Sequence, residues 1–201
     1  MLELWLLRHG ATAWARDGRH TGRTDIPLLP EGEEQARCVG PLLHQLGDGG
    51  GHPFAAVLAS PLQRAWRTAE LAGLGAQAQP CDDLLEWDYG AYEGITTAQI
   101  RQQVPDWTVW SHGCPQGEDA AAVEARCQRV IQQAEQLAAQ STSPRVALVA
   151  HGHVLRSLAG TWLGLGASGG ALLMLNTATL SVLGHERQQP AIRHWNVPAR
   201  R

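Results

Sequence analysis

The chain has no lysine; all 16 of its basic residues are arginine. That absence excludes the Gly-Lys phosphate loop of nucleotide-binding proteins. It also excludes Schiff-base chemistry, which needs a lysine amine. No Gly-x-Ser-x-Gly turn is present, so a serine nucleophile of the hydrolase type is not indicated. The four cysteines, Cys38, Cys81, Cys114 and Cys127, form no Cys-x-x-Cys pair. They read as reduced, structural thiols rather than a zinc ribbon or a redox site. No apolar run approaches the roughly 18–20 residues of a membrane span. The N-terminal stretch "MLELWLLRHG" has neither a basic leader nor a cleavage site, so a cytoplasmic setting is expected. A net charge of −3 gives no overall attraction to nucleic acid or to a membrane surface.

What is present is an ordinary globular composition, with 44% hydrophobic and 17% charged residues in 201. One domain over 1–201 is expected at this length. "LELWLL" (2–7), "AAVLA" (55–59) and "VALVA" (146–150) are short continuous apolar runs, as in strands buried on both faces of a parallel sheet. Helical stretches separate them. Residues 31–46 read as a helix kinked at Gly40-Pro41. Residues 60–73 read as a helix with Ser60 at the N-cap, Pro61 at its first position and Gln63 completing a capping box. Residues 117–140 give the longest helix and 153–164 another, and 178–186 and 191–197 read as closing strands. "LGDGGGHP" (46–53) reads as a turn. Strands alternating with helices predict a three-layer α/β/α sandwich around a largely parallel sheet. The eight tryptophans suit a core and leave room for an interface between copies of the chain.

All three apolar runs end in polar clusters. The first ends in Arg8-His9-Gly10. The second runs into Ser60-Pro61 and delivers Arg64 a turn later. The third ends in His151-Gly152-His153. In open parallel sheets, ligands bind beyond the carboxyl ends of the strands, so these clusters converge on one edge. Arginines, imidazoles and helix N-termini together describe a phosphoryl site. A neutral imidazole attacks phosphorus through one nitrogen while the other donates to a carbonyl. Gly10 reads as room for the phosphoryl group. Glu86, in "LLEWDYGAYEG", sits among apolar and aromatic neighbours and is the candidate proton donor for a leaving alkoxide. His151 and His153 also admit a metal-pair reading, although no acidic partner motif accompanies them.

The successive stretches "LLRHGATAW", "TGRTDIPLLPEGEEQA", "LASPLQRAWRTAE", "LLEWDYGAYEG" and "LVAHGHVLR" resemble the ordered motifs of the histidine phosphatase superfamily, also called phosphoglycerate-mutase-like. The resemblance spans nearly the whole chain. It implies an α/β/α fold and chemistry without a metal or other cofactor. It implies that His9 is the phosphorylated residue, that Glu86 is the proton donor, and that Arg8, Arg64 and His151 complete the phosphate pocket. Thr21 and Gly22 match the substrate loop, and Tyr89 and Gly152 lie in motifs that contact ligand in relatives.

Ala15 departs from the pattern, because the family usually places asparagine after the motif tryptophan. The region 95–119, which in mutases is basic, holds Arg101 as its one fixed cation. The resemblance therefore points toward phosphatases of sugar phosphates or bisphosphates, with Arg156 as a candidate for a distal group of the substrate. A phosphoglycerate mutase that depends on 2,3-bisphosphoglycerate, or a phosphoprotein phosphatase of the same family, is the alternative. The partner expected in the first case is a small phosphorylated metabolite.

Overall fold

In the computed structural model, residues 1–47 and 54–199 are described, so the turn expected at 46–53 lies largely outside the described residues. Six strands form one sheet: β1 (Glu3–Arg8), β2 (Ala56–Ala59), β3 (Ala78–Pro80), β4 (Arg145–Ala150), β5 (Thr179–Glu186) and β6 (Gln189–Pro198). The helices, in chain order, are α1 (Ala13–Asp17), α2 (Pro30–Arg37), α3 (Val39–Leu46), α4 (Gln63–Leu71), α5 (Thr97–Ile100), α6 (Val109–His112), α7 (Ala120–Ala139) and α8 (Gly152–Trp162).

The strand order is β3-β2-β4-β1-β5-β6. Pairings β3–β2, β2–β4 and β4–β1 are parallel, whereas β1–β5 and β5–β6 are antiparallel. The parallel strands are apolar on both faces because both faces are covered. Leu4 and Leu6 of β1, with Val146 and Leu148 of β4, join Val123, Val130, Leu155 and Leu158 of α7 and α8 in one core. The alternate residues Trp5, Leu7, Ala147 and Val149 join Val39, Leu42, Ala65 and Ala69 of α3 and α4 in the other. Each fully buried leucine contributes about 2 kcal/mol. Two cores flanking one sheet make three layers, as the alternation predicted.

Two helix boundaries differ from the sequence reading. The 31–46 helix divides at Cys38 rather than at Gly40-Pro41, because Cys38 N–H closes the α2 end on Glu34 and Ala36. Pro41 then falls in the first turn of α3, where its missing N–H has no partner to lose. Helix α4 starts at Gln63, with Leu62 at its N-cap. Gln63 N–H instead donates to Asp25 Oδ1 at 2.9 Å. The capping box led by Ser60 does not form: its hydroxyl meets His151 Nε2 at 2.8 Å and accepts from Leu62 N–H at 3.4 Å, not from Gln63.

The register brings the strand ends together. Arg8 pairs with Ala150, and Ala59 with Val149. His9 N–H donates to Ala150 O and Ser60 N–H to Val149 O, each at 2.9 Å. The three polar clusters therefore leave the sheet from one edge.

Candidate active site

A cavity of about 270 Å³ opens at that edge. Arg8, His9 and Glu86 form part of its wall, with Thr21, Tyr89, Gly152 and Arg156. Arg64, His151 and Ser60 are completely buried behind the wall.

His9 is about 5% exposed. Its Nδ1 lies 2.7 Å from Gly10 O. A carbonyl only accepts, so Nδ1 carries the proton and the lone pair of the neutral ring is on Nε2. Burial, followed by the nearby Arg8 and Arg64 charges, holds His9 well below the usual imidazole range, against the Gly10 bond. Beside it, an Arg8 Nη1 hydrogen reaches Leu175 O. Arg8 Nε is buried and has no partner among the described residues. A buried guanidinium N–H without an acceptor is costly, and a bound phosphate oxygen would satisfy it. Gly152 packs closely against this group: a Cβ there would lie 3.3 Å from Arg8 Cζ, so the guanidinium would have to give by a few tenths of an ångström.

Gly10 serves a purpose other than the expected phosphate room. A Cβ at Gly10 would stand 2.2 Å from Gly32 O, and one at Gly32 would stand 2.1 Å from Ala11 O. The chain leaving β1 therefore packs backbone to backbone against the first turn of α2.

Arg64 works beneath the cavity rather than in its wall. Its Nη1 donates to Thr24 O at 2.9 Å, and its Nη2 to Thr21 O and Gly22 O at 3.0 Å. Its Nε donates to His151 Nδ1 at 3.1 Å. Guanidinium N–H only donates, so Nδ1 of His151 is an acceptor and the proton is on Nε2, which faces Ser60 Oγ at 2.8 Å. Burial and the Arg64 charge push His151 well down, which keeps this tautomer neutral. The two rings His9 and His151 meet edge to face, 5.1 Å apart.

Thr21 lines the cavity, whereas Gly22 lies behind it. The Gly22 N–H is committed to Glu93, at 2.9 Å from each carboxylate oxygen, and Thr24 N–H reaches Oε1 at 3.0 Å. Residues 21–24 are thus gripped by Arg64 through their carbonyls and by Glu93 through their amides. A side chain at Gly22 would strike Trp87 O at 2.5 Å.

Glu86 is buried, but its oxygens do not meet the apolar groups that its sequence neighbours suggested. Oε1 accepts from Trp87 N–H at 2.9 Å and Val154 N–H at 2.8 Å, and Oε2 accepts from His153 N–H at 3.0 Å. The carboxylate caps the first turn of α8. Its segment is fixed from α7, where Arg126 donates to Asp83 O and Leu85 O and pairs with Glu118 at 2.7 Å.

Tyr89 is buried, with its hydroxyl 2.6 Å from His153 Nδ1. His153 and His151 therefore turn to different partners and do not converge as a metal pair. Arg156 lies over the Trp110 ring at 4.7 Å and donates Nε to Gly170 O at 3.0 Å. Ala15 lines the cavity with only a methyl group.

Sequence reasoning missed Ser60 as a partner of His151, Glu93 as the grip on residues 21–24, and His20 and Arg19 as wall residues. Ser60 was visible as a strand-end polar residue; nothing local marked Glu93 or His20.

Four imidazoles, the buried His9, His20 and His151 and the half-buried His153, are all held below the ordinary value of 6.5, with His20 lowered to about 4 by burial. As pH falls through 6.5, the unfolded chain takes up these protons first and the native state does not. Stability present above pH 6.5 is therefore lost as pH falls toward the lower native values. The melting temperature is expected to drop by more than about 5 °C between pH 6.5 and 5, above the range where carboxylates titrate. A flat profile in a calorimetric pH series would contradict the neutral assignment.

The model of the histidine phosphatase superfamily (branch 1) matches residues 4–198. The chain belongs to this superfamily. An acid phosphatase of Mycobacterium tuberculosis is 42% identical over 184 residues, covering 91% of this chain and 86% of that protein. Sedoheptulose 1,7-bisphosphatase of Saccharomyces cerevisiae is 31% identical, covering 80% and 67%. The solved structure of an open reading frame from M. tuberculosis superposes with a TM-score of 0.89 at 39% identity, covering 99% of each chain. As a histidine phosphatase superfamily enzyme, the chain has the expected mixed fold, a mostly parallel sheet between helices. No helix among the described residues is long and apolar enough to cross a membrane.

Proposed function

We propose that this histidine phosphatase is a phosphomonoesterase that hydrolyses small phosphorylated metabolites, sugar phosphates or bisphosphates, through a phosphohistidine at His9. The observation that carries the reading is the pairing of His9 with Arg8. The ring is fixed with its lone pair on Nε2, and the unpartnered Arg8 Nε–H lies buried beside it.

In this reading, Nε2 attacks phosphorus and forms the N–P bond as the ester P–O bond breaks. Glu86 supplies the proton to the departing alkoxide, through Oε2, the oxygen with only one N–H bond. Water then attacks the phosphohistidine, gives its proton back to Glu86, and releases phosphate and neutral His9. Arg8 stays charged throughout and holds phosphoryl oxygens. His151 stabilises the transferring oxygens through Nε2–H, whose present acceptor is Ser60. Arg64 fixes both His151 and the Thr21-Gly22 wall. Tyr89 and Gly152 bound the substrate, and Arg156 faces its distal part. The reading takes 1–201 as one domain that needs no cofactor. It places the protein in the cytoplasm, where the four free cysteines stay reduced.

A panel of phosphorylated metabolites, with sugar bisphosphates and both phosphoglycerates, tests the assignment. Phosphate release is expected to exceed phosphoglycerate isomerisation by at least about tenfold and to persist in chelator. Isomerisation as the faster reaction would make the enzyme a mutase. Strict dependence on added divalent metal would overturn the mechanism. Rapid turnover of a phosphoprotein alone would move the substrate class.

A further inference from the structure

Arginines in this protein almost always have work to do. Among the described residues, every arginine but one has its guanidinium in a hydrogen bond or ion pair. The exception is Arg19, an exposed residue that lines the active-site cavity.

Its backbone is not loose. Arg19 N–H donates to Trp14 O at 2.9 Å across the left-handed Gly18, and its carbonyl accepts from Thr21 Oγ1 at 3.2 Å. Arg19 also bridges Thr96, and the neighbouring His20 N–H donates to Ile95 O at 3.0 Å. The main chain is therefore pinned on both sides while the side chain stands unpaired at the cavity.

The cavity offers Arg19 no anion of its own. Three arginines, Arg8, Arg19 and Arg156, line it against one carboxylate, Glu86. The Glu86 oxygens already hold three backbone N–H groups. Arg156 is fixed by Gly170 O and Ala171 O through Nε and Nη2, which leaves Nη1 without a partner among the described residues. One phosphoryl group at Arg8 and His9 does not use this charge. Guanidinium groups that line a cavity without a protein counter-charge mark an anion subsite, provided the ligand brings a second negative group.

We propose that Arg19 determines specificity by capturing a second anionic group of the substrate, a phosphate or a carboxylate, while the reacting phosphoryl group sits at Arg8 and His9. This rests on the phosphomonoesterase reading and narrows it to substrates with two anionic ends. Arg156 contributes the fixed half of the subsite, and Arg19 the half that adapts to substrate length.

The test compares Arg19→Ala with the parent enzyme on two matched pairs: fructose 1,6-bisphosphate against fructose 6-phosphate, and 3-phosphoglycerate against glycerol 3-phosphate. In at least one pair, the preference in kcat/KM for the doubly anionic member is expected to fall about tenfold, mainly through KM. The first pair reports a second phosphate and the second a carboxylate. The parent preference is also expected to shrink between 50 and 300 mM salt, because the group is exposed. Equal losses on both members of each pair, or unchanged preferences in both pairs, would overturn the proposal. If the parent enzyme releases phosphate from none of the four and from nothing else in the metabolite panel, the phosphomonoesterase reading fails by itself. Calorimetric titration of His9→Ala, with and without Arg19→Ala, against the same four compounds still reads the subsite: a tenfold loss of relative affinity supports it, and no difference ends it.

Discussion

Replacing His9 by alanine is expected to abolish both turnover and the acid-labile phosphoenzyme. The loss should reach at least about 10⁴-fold, the scale seen when a covalent nucleophile is removed from a site that otherwise stays intact. Hydrolysis of phosphate monoesters is among the slowest uncatalysed reactions, with enzymatic accelerations up to about 10²¹. Without the imidazole, water would have to attack directly at the floor of a cavity whose groups are arranged around a ring nitrogen. The variant should fold, since the ring contributes one bond to its neighbour Gly10 and leaves the strand pairing of β1 untouched. Acid-quenched labelling with radioactive substrate gives the direct measurement. Undiminished label on the alanine variant would place the phosphoryl group elsewhere and end the mechanism.

Arg64→Ala is expected to lower kcat by about 10²–10³, comparable to losing a preorganised transition-state donor. This residue has a second consequence that a phosphate clamp alone would not have. Its removal leaves the carbonyls of Thr21, Gly22 and Thr24 without their donor and takes away the N–H that sets the His151 tautomer. The stability loss should be several kcal/mol, as for other buried hydrogen-bonded charges. Arg64→Lys should recover little, because one ammonium cannot span three carbonyls and an imidazole in a fixed plane. Nitrogen NMR of the His151 ring separates the two effects: the proton is expected to lose its preference for Nε2 in the variant. A fall in kcat below threefold, with the tautomer intact, would remove Arg64 from the catalytic arrangement.

The sequence made the convergence legible because strand ends announce themselves. An apolar run that halts at Arg8-His9, and another that halts at His151-Gly152, fix direction and edge at once. The same local signals misplaced residues whose partners lie far along the chain. Ser60 looked like a cap for the helix that follows it, but its hydroxyl meets His151 and Leu62 N–H, while Gln63 N–H turns to Asp25. Glu86 was read from its sequence neighbours, whereas its oxygens answer to the first turn of α8. Arg64 was read as part of the phosphate pocket; its position beneath the cavity wall depends on residues 21–24, which no periodicity describes. Glu93 was unreadable for the same reason, since its role exists only once Gly22 is folded against it.

The contact between Gly10 and Gly32 has a further consequence. Because backbone touches backbone there, no larger side chain on either partner can be accommodated by a compensating change on the other. Most packed positions in a protein can exchange volume with a neighbour over successive substitutions. This pair cannot, so the two glycines form a joint constraint with no intermediate. Its mechanical meaning lies in what stands next to it. Any enlargement at Gly32, on a helix that contributes nothing to the chemistry, would displace the peptide carrying the Gly10 carbonyl. That carbonyl is what aims the His9 ring. The alignment of the proposed nucleophile is thus set by the fit of two main chains, and a single methyl group on the distant one would detune it.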